Sequence, residues 1–225
     1  MTVQRQHHEQ FEKRRAAASV VLGVLRKHME FPSVLDIGCG VGAWLASAKE
    51  LGAREVLGVD GPWIETEFLG IEPSEFIEQD LNTPMDLGRK FDLVISIEVG
   101  EHLKPEAARD LVATITRHGD AAIFSAAMPG QGGAGHINEQ WPEYWVGLFR
   151  EEGFDAYDAI RRVVWEDRRV FPWIQQNCLV FVRSGAPLAP TLARHRVKGK
   201  VATMVHRVTY SRLLKKYHEL QASTS

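Results

Sequence analysis

A doubly wound α/β sheet of about seven strands, with helices on both faces and an antiparallel last strand, is the fold class that the sequence predicts. Three observations carry it. Short apolar runs alternate with segments of helical period from residue 33 to residue 183. A glycine-rich turn joins the first such run to the helix after it. The last two apolar runs, 160–165 and 177–183, have no helical pattern between them, which favours an antiparallel final strand.

The elements follow in order. Residues 9–29 read as a helix, with Val20, Val21, Val24 and Leu25 at helical spacing and Arg14, Arg15 and Lys27 on other faces. Pro32 stops it. A buried strand is predicted at 33–38 (SVLDIG), then a helix at 43–51 that Gly52 ends. Strands follow at 55–60 (EVLGVD), 75–81 (EFIEQDL) and 91–99 (FDLVISIEV). Pro105 opens a helix that runs to His118. A fifth strand, 121–127, leads into the loop MPGQGGAGHINEQ, and 142–152 is a helix stopped by Gly153. The runs 160–165 and 177–183 are the sixth and seventh strands, and a last helix is predicted at 201–220.

A chain of 225 residues suits one such domain. The predicted organisation is a domain at 1–183, a linker at 184–190 (SGAPLAP) and a basic helical tail at 191–225. No run approaches the ~20 apolar residues of a membrane helix. The start MTVQRQHHEQ has no apolar signal core, and Cys39 and Cys178 form no ligand cluster, so a reducing cytoplasm is the expected location. The net charge of −2 hides an asymmetry: residues 186–225 hold eight Lys/Arg and one acid, whereas the rest has nine more acids than bases. An acidic body argues against a nucleic-acid partner. The tail is either a solvated face or a contact for phosphates, anionic lipid or another subunit, and a homodimer is compatible with it.

The segment 34–44, VLDIGCGVGAW, sets Asp36, Gly38, Gly40 and Gly42 in a D-x-G-x-G-x-G pattern between strand and helix. Glycines allow a sharp turn and close approach of backbone to a ligand. The third glycine lies two residues after the second rather than three, unlike the dinucleotide fingerprint, and no P-loop pattern is present. The segment closely resembles the cofactor motif of class I S-adenosylmethionine methyltransferases, over residues 30–183. That resemblance implies a Rossmann-like fold and S-adenosylmethionine as cofactor. It implies cofactor contacts from Asp36, Gly38, Cys39, Gly40 and Gly42, a ribose-binding carboxylate at Asp60 beside Gly61, and an adenine-reading Asp80 beside Leu81. Trp63 is expected to cover the adenine face. Glu98 is a further cofactor candidate.

After the fourth strand comes Glu98-Val99-Gly100-Glu101-His102. On a helical turn, Glu98, Glu101 and His102 share one face. His136 lies in the glycine-rich loop after the neighbouring strand. Two carboxylates and two imidazoles suit a divalent cation, Mg²⁺ foremost with Mn²⁺ as an alternative. The E-x-x-E-H…H pattern is similar to that of metal-dependent 2′-O-methyltransferases of small-RNA 3′ ends, and E-V-x-E-H to ubiquinone-pathway O-methyltransferases. Other readings stay open: His136 or His102 as a metal-free general base, Glu98 as a cofactor-orienting group, Glu101 as a helix cap or a partner of Lys104, and His102 as a core residue.

The segment 131–145 adds amides and Trp141, Tyr144 and Trp145, a wall suited to sugar faces and hydroxyls, although Trp145, Leu148 and Phe149 also read as a helix's core face. The G-H-x-N-E-Q loop and Gln176-Asn177, with Trp173 nearby, resemble glycan and antibiotic-sugar methyltransferases. The expected activity is O-methylation of a sugar or polysaccharide hydroxyl. The alternatives are a phenolic or quinone-like acceptor with His136 as base, and a non-catalytic cofactor-binding subunit.

Overall fold

The computed structural model describes residues 3–224. Met1, Thr2 and Ser225, the outer ends of the expected 1–183 domain and 191–225 tail, lie outside the described residues. Seven strands form one sheet: β1 Ser33–Ile37, β2 Glu55–Asp60, β3 Phe76–Glu78, β4 Leu93–Ile97, β5 Ala121–Ser125, β6 Phe154–Tyr157 and β7 Leu179–Arg183, in the order β3-β2-β1-β4-β5-β7-β6. β1 to β5 pair in parallel, and β7 runs antiparallel to both β5 and β6. Between β1 and β4 the strand order reverses, and an open α/β sheet binds its ligands at the carboxyl ends of strands beside such a switch.

Helices cover both faces. α1 (Val3–Leu25) and α2 (Ala43–Glu50) lie on one, with α5 (Arg161–Val164) and α6 (Pro172–Asn177). Their Ala17, Leu22, Leu25 and Leu45 pack with Val34, Ile123 and Val180 in one buried cluster. On the other face α3 (Ala108–His118) and α4 (Pro142–Glu151) bring Leu111, Ile115, Trp145 and Phe149 to Val94, Phe124 and Phe181. Phe149 and Phe181 stack at 3.8 Å. Trp145, Leu148 and Phe149 are thus core residues, whereas Trp141 and Tyr144 stay exposed.

Several predicted elements differ, among them the fourth strand, which ends at Ile97 rather than residue 99. The sixth strand is 154–157, not 160–165; residues 161–164 form α5 instead. The apolar run misled because its second residue, Arg161, is buried as deeply as Ile160 and Val164. Arg161 bonds Asp158 three residues back, through Nε to Oδ1 (2.9 Å) and Nη2 to Oδ2 (2.8 Å), a spacing that a helical turn closes and a strand does not. The antiparallel final strand therefore arises with two short helices before it, not with none. α1 begins at Val3 and ends at Leu25, and the third strand is shorter than predicted, which leaves Asp80 two residues beyond it.

The segment after β7 packs on the body before it leaves it. Leu188, Leu192 and Val201 are buried, and Val197 N–H donates to Ala156 O at the edge of β6. The last helix, α7, accordingly starts at Arg207 and runs to Thr224, later than the predicted 201–220. Arg161 Nη1 donates to Gln176 O and Ala202 O, tying this segment to α6. Replacing Arg161 with Met should cost about 3 kcal/mol, because Asp158 and two carbonyls lose their cation. Urea denaturation measures it, and a loss under about 1 kcal/mol would show that the buried cation does not hold the segment.

Candidate active site

The β1–α2 turn is built on positive φ angles at Gly38 (84°), Gly40 (55°) and Gly42 (82°), a conformation that favours glycine. A Cβ on Gly38 would stand 2.2 Å from Val99 Cγ2, so the turn also lies tight against the end of β4. Asp60, at the end of β2, closes over the turn: its Oδ2 accepts Gly40 N–H and its Oδ1 accepts Gly61 N–H, both at 2.7 Å. Asp36 is buried with its Oδ2 unpartnered. Burial, then the charge of Asp60, pushes its carboxyl well above the usual carboxylate range. The Trp63 ring lies against Gly61, where a Cβ would stand 2.1 Å from it, and the residue is otherwise largely exposed.

A cavity of about 330 Å³ opens over Gly40 and Val41, lined by Trp63 and Phe68 and closed by Phe11 and Arg14 of α1. Arg14 Nη1 stands 3.6 Å from the position of a Cβ on Gly40, a guanidinium above the glycine turn. Phe11 and Arg14 escaped the sequence reading, which saw only a helix face. Their helical period gives no hint that α1 reaches the turn. Cys39 is buried, with its thiol pushed up by burial, and its Sγ donates to Gly40 O. Asp80 is exposed and holds Asn82 through backbone and side chain (2.9 and 3.0 Å), while Leu81 is buried beside it.

Beyond β4, Gly100–His102 forms a single tight turn. The loop 130–140 clamps onto it: Ile137 N–H and Asn138 N–H donate to Glu101 O, and Asn138 Nδ2 donates to Gly100 O. Glu101, His102 and His136 each bring a ligand atom within 4.8 Å of the others. The Glu101 side chain is fully buried, yet neither of its oxygens has a hydrogen-bond partner. Burial, then the neighbouring Glu98, pushes its carboxyl up to about 9. It neither caps a helix nor pairs with Lys104, and His102 is exposed rather than a core residue. The His102 ring meets the His136 ring edge-on at 4.9 Å. Burial, then His136, lowers the His102 pKa.

Glu98 does not join this trio. Gln131 Nε2 donates to its Oε2 at 2.7 Å, and Asn177 Nδ2 approaches Oε1 at 3.5 Å. Glu139, whose role no local pattern signals, organises the loop. Glu139 Oε1 accepts His136 Nδ1–H and Gly132 N–H, and Oε2 accepts Gly130 N–H, each at 2.8 Å. Burial raises the Glu139 carboxyl, but these bonds outweigh it and hold the group below its ordinary value. The pairing fixes the His136 tautomer and leaves Nε2 as the nitrogen free to take a cation or a proton.

The two halves of the site meet at the carboxyl ends of β1, β2, β4 and β5. Residues 5–159 match the methyltransferase domain family. The chain belongs to that family. Its sheet is of the class I, Rossmann-like methyltransferase kind. A stretch of 130 residues is 32% identical to Ribosomal RNA large subunit methyltransferase E of Hyphomonas neptunium, covering 49% of this chain and 51% of that protein. The chain thus spans about half the length of that relative. Among solved structures, the fold is shared with the sugar N-methyltransferase KedS8 of Streptoalloteichus (TM-score 0.61, 16% identity, 81% of this chain and 93% of that one). It is also shared with DesVI of Streptomyces venezuelae (0.58, 14%, 82% and 100%) and with the methyltransferase domain of bacterial CtHen1 (0.55, 18%, 73% and 96%).

The raised Glu101 pKa has a direct consequence for stability. From its ordinary 4.5 to about 9, the folded chain holds a proton that the unfolded chain has released. The stabilising contribution is complete below pH 4.5 and is lost as pH rises through about 9. With chelator present, the unfolding free energy should therefore fall between pH 5 and 8 by an amount on the order of a few kcal/mol, read as a falling thermal midpoint. Glu101→Gln should flatten the slope. An identical pH profile for the variant would refute the buried, uncompensated carboxyl.

Proposed function

We propose that this methyltransferase transfers a methyl group to a hydroxyl of a sugar or glycan, and that a divalent cation held by Glu101, His102 and His136 assists it. The observation that carries the reading is the fully buried Glu101 carboxylate, unpartnered at both oxygens, beside two imidazoles. A buried acid without a donor calls for a cation or a proton. A divalent cation there would lower the pKa of an acceptor hydroxyl and orient it. A hydroxyl needs such help, because it is a poor nucleophile until deprotonated, whereas an amine attacks as its free base. One carboxylate and two imidazoles suit Mn²⁺ as well as Mg²⁺, with Glu98 alongside as the second acid.

The cofactor half supports binding of S-adenosylmethionine, whose sulfonium supplies the electrophilic methyl. In this reading Gly38, Gly40 and Gly42 let the backbone approach, Asp60 accepts the ribose hydroxyls beside Gly61, and Trp63 offers its open face to the adenine. Asp36, with its unpartnered oxygen, faces the cationic end, and Arg14 takes the ligand's carboxylate. Cys39 and Leu81 serve by shape. Asp80 is left as an exposed acceptor for the adenine amino group. On the acceptor side, exposed Trp141 and Tyr144 and the amide of Gln140 supply apolar faces and hydrogen bonds of the kind a pyranose uses. KedS8, by its name, acts on a sugar. The body's nine excess acids disfavour a nucleic-acid acceptor, despite the name of the ribosomal RNA relative.

One specific observation favours a second reading. The Glu139–His136 pair is also the arrangement of an oriented general base. Chelation separates the two. The expected result is loss of turnover in EDTA, with recovery on adding Mn²⁺ or Mg²⁺, while cofactor affinity by calorimetry stays unchanged. Full activity in EDTA would refute the cation and assign proton removal to His136. His136→Ala should then be the most damaging single change.

The cofactor half is tested separately. Asp60→Ala should weaken S-adenosylmethionine binding by roughly 1–3 kcal/mol, since two hydroxyls lose their acceptor. Equal affinity in the variant would sink the ribose assignment.

A further inference from the structure

The strongest feature outside the site is α7. It leaves the body at His206, whose backbone N–H donates to Gln176 Oε1 at 3.0 Å and whose ring packs against Trp165. Beyond that point its side chains are almost all exposed. Tyr210, Leu213, Leu214, Tyr217 and Leu220 recur at three- and four-residue spacing, a stripe roughly 120° wide on a helix of 100° per residue. These large residues are 39–58% exposed. Arg212 and Lys215 lie opposite the stripe and Arg207 and Lys216 flank its two edges, with Glu219 as the helix's one acid. Arg194, Arg196, Lys198 and Lys200 add four more cations just before it.

We propose that α7 lies on an anionic lipid surface, its tyrosine–leucine stripe at the acyl boundary and its lysines and arginines at the headgroups. Charge decides the occupant. Pairing of α7 with α7 of a second copy would bring two helices of net charge +3 together. It would also bury tyrosine hydroxyls in a dry seam. An anionic bilayer surface satisfies both faces at once: it attracts the basic side, and tyrosine is enriched where apolar body and polar tip must part company. No helix among the described residues is long and apolar enough to cross a membrane, so α7 would lie in the interface plane. The acidic body is repelled by the same surface, which leaves the tail as the docking element. Leu213 reaches within 3.6 Å of where a Cβ on Gly130 would stand, so a docked α7 carries the loop of His136 close to the lipid. The proposal is independent of the acceptor's identity.

The test is flotation of the full chain with vesicles of phosphatidylcholine, with and without phosphatidylglycerol, at low salt. Binding is expected only with phosphatidylglycerol. The double variant Leu214→Gln, Tyr217→Gln, which leaves charge unchanged, should lower partitioning by about tenfold or more. Lys215→Ala with Lys216→Ala should lower it by about twentyfold. Both variants should keep the wild-type circular dichroism and methyl-transfer rate. Absence of binding to phosphatidylglycerol vesicles would overturn the proposal. So would binding that ignores the Leu214 and Tyr217 changes, since that is adsorption by charge alone. A dimer in light scattering that the same variant dissolves, or retention on an RNA homopolymer without vesicle binding, would likewise overturn it.

Discussion

Glu98 ends β4 at φ 56°, the only non-glycine residue among those described with a positive φ. A side chain in that region costs on the order of 1 kcal/mol, so local preference does not place it there. The bonds it makes offset that cost: its N–H donates to Ser125 O on the neighbouring strand, and its carboxylate accepts from Gln131. The reversal has consequences for everything after it. It drops Val99 onto Gly38 and so links the end of β4 to the glycine turn of β1. It passes the chain through Gly100, where a Cβ would stand 2.6 Å from the Trp145 ring, and swings Glu101 inward beneath the loop 130–140. Without that turn, Glu101 and His102 would not meet His136.

The amide network behind Glu98 extends the constraint across the molecule. Gln176 Nε2 and Asn177 Nδ2, both from α6, donate to Gln131 Oε1 at 2.8 Å, and Gln176 Oε1 accepts the backbone N–H of His206. Arg161 holds the other side of α6 through Gln176 O. The start of α7, the loop of His136 and the strained end of β4 are therefore consecutive links of one buried polar chain. The network ties the position of Glu98 to the seating of the C-terminal segment, with Asn177 Oδ1 its one buried atom left without a partner.

Much of this was legible in the sequence because the deciding signals are local. The D-x-G-x-G-x-G turn, the strand end at Asp60, and the parallel core strands all follow from spacing and apolar runs over a few residues. The clustering of Glu101, His102 and His136 was legible too, since adjacent strand ends in a doubly wound sheet share one edge. What failed was settled by distant partners. The run 160–165 has the composition of a strand, and only the burial of Arg161 against Asp158, Gln176 and Ala202 makes it a helix. Glu98 has the spacing of a cation ligand, but two amides from remote segments claim its carboxylate. Arg14 sits on an unremarkable helix face until tertiary packing sets it over Gly40.

The remaining feature is electrostatic. His118 shows what a structural polar residue looks like in this core: it is fully buried, its Nδ1–H donates to Thr114 O at 2.7 Å, and its Nε2 accepts Leu87 N–H at 2.8 Å. Asp36 and Glu101 differ. Each is buried, each keeps an oxygen without a donor, and each stands near a second acid, Asp60 or Glu98. A fold selected only for stability would supply donors or replace the acids with apolar side chains, because an uncompensated buried carboxyl costs free energy. The two deficits occur at neighbouring strand ends and share a sign. Under the proposed function, both are relieved by positive charge brought from outside, the cationic cofactor on the β1–β2 side and a metal ion on the β4 side. Groups that bind only the folded chain then add to its stability.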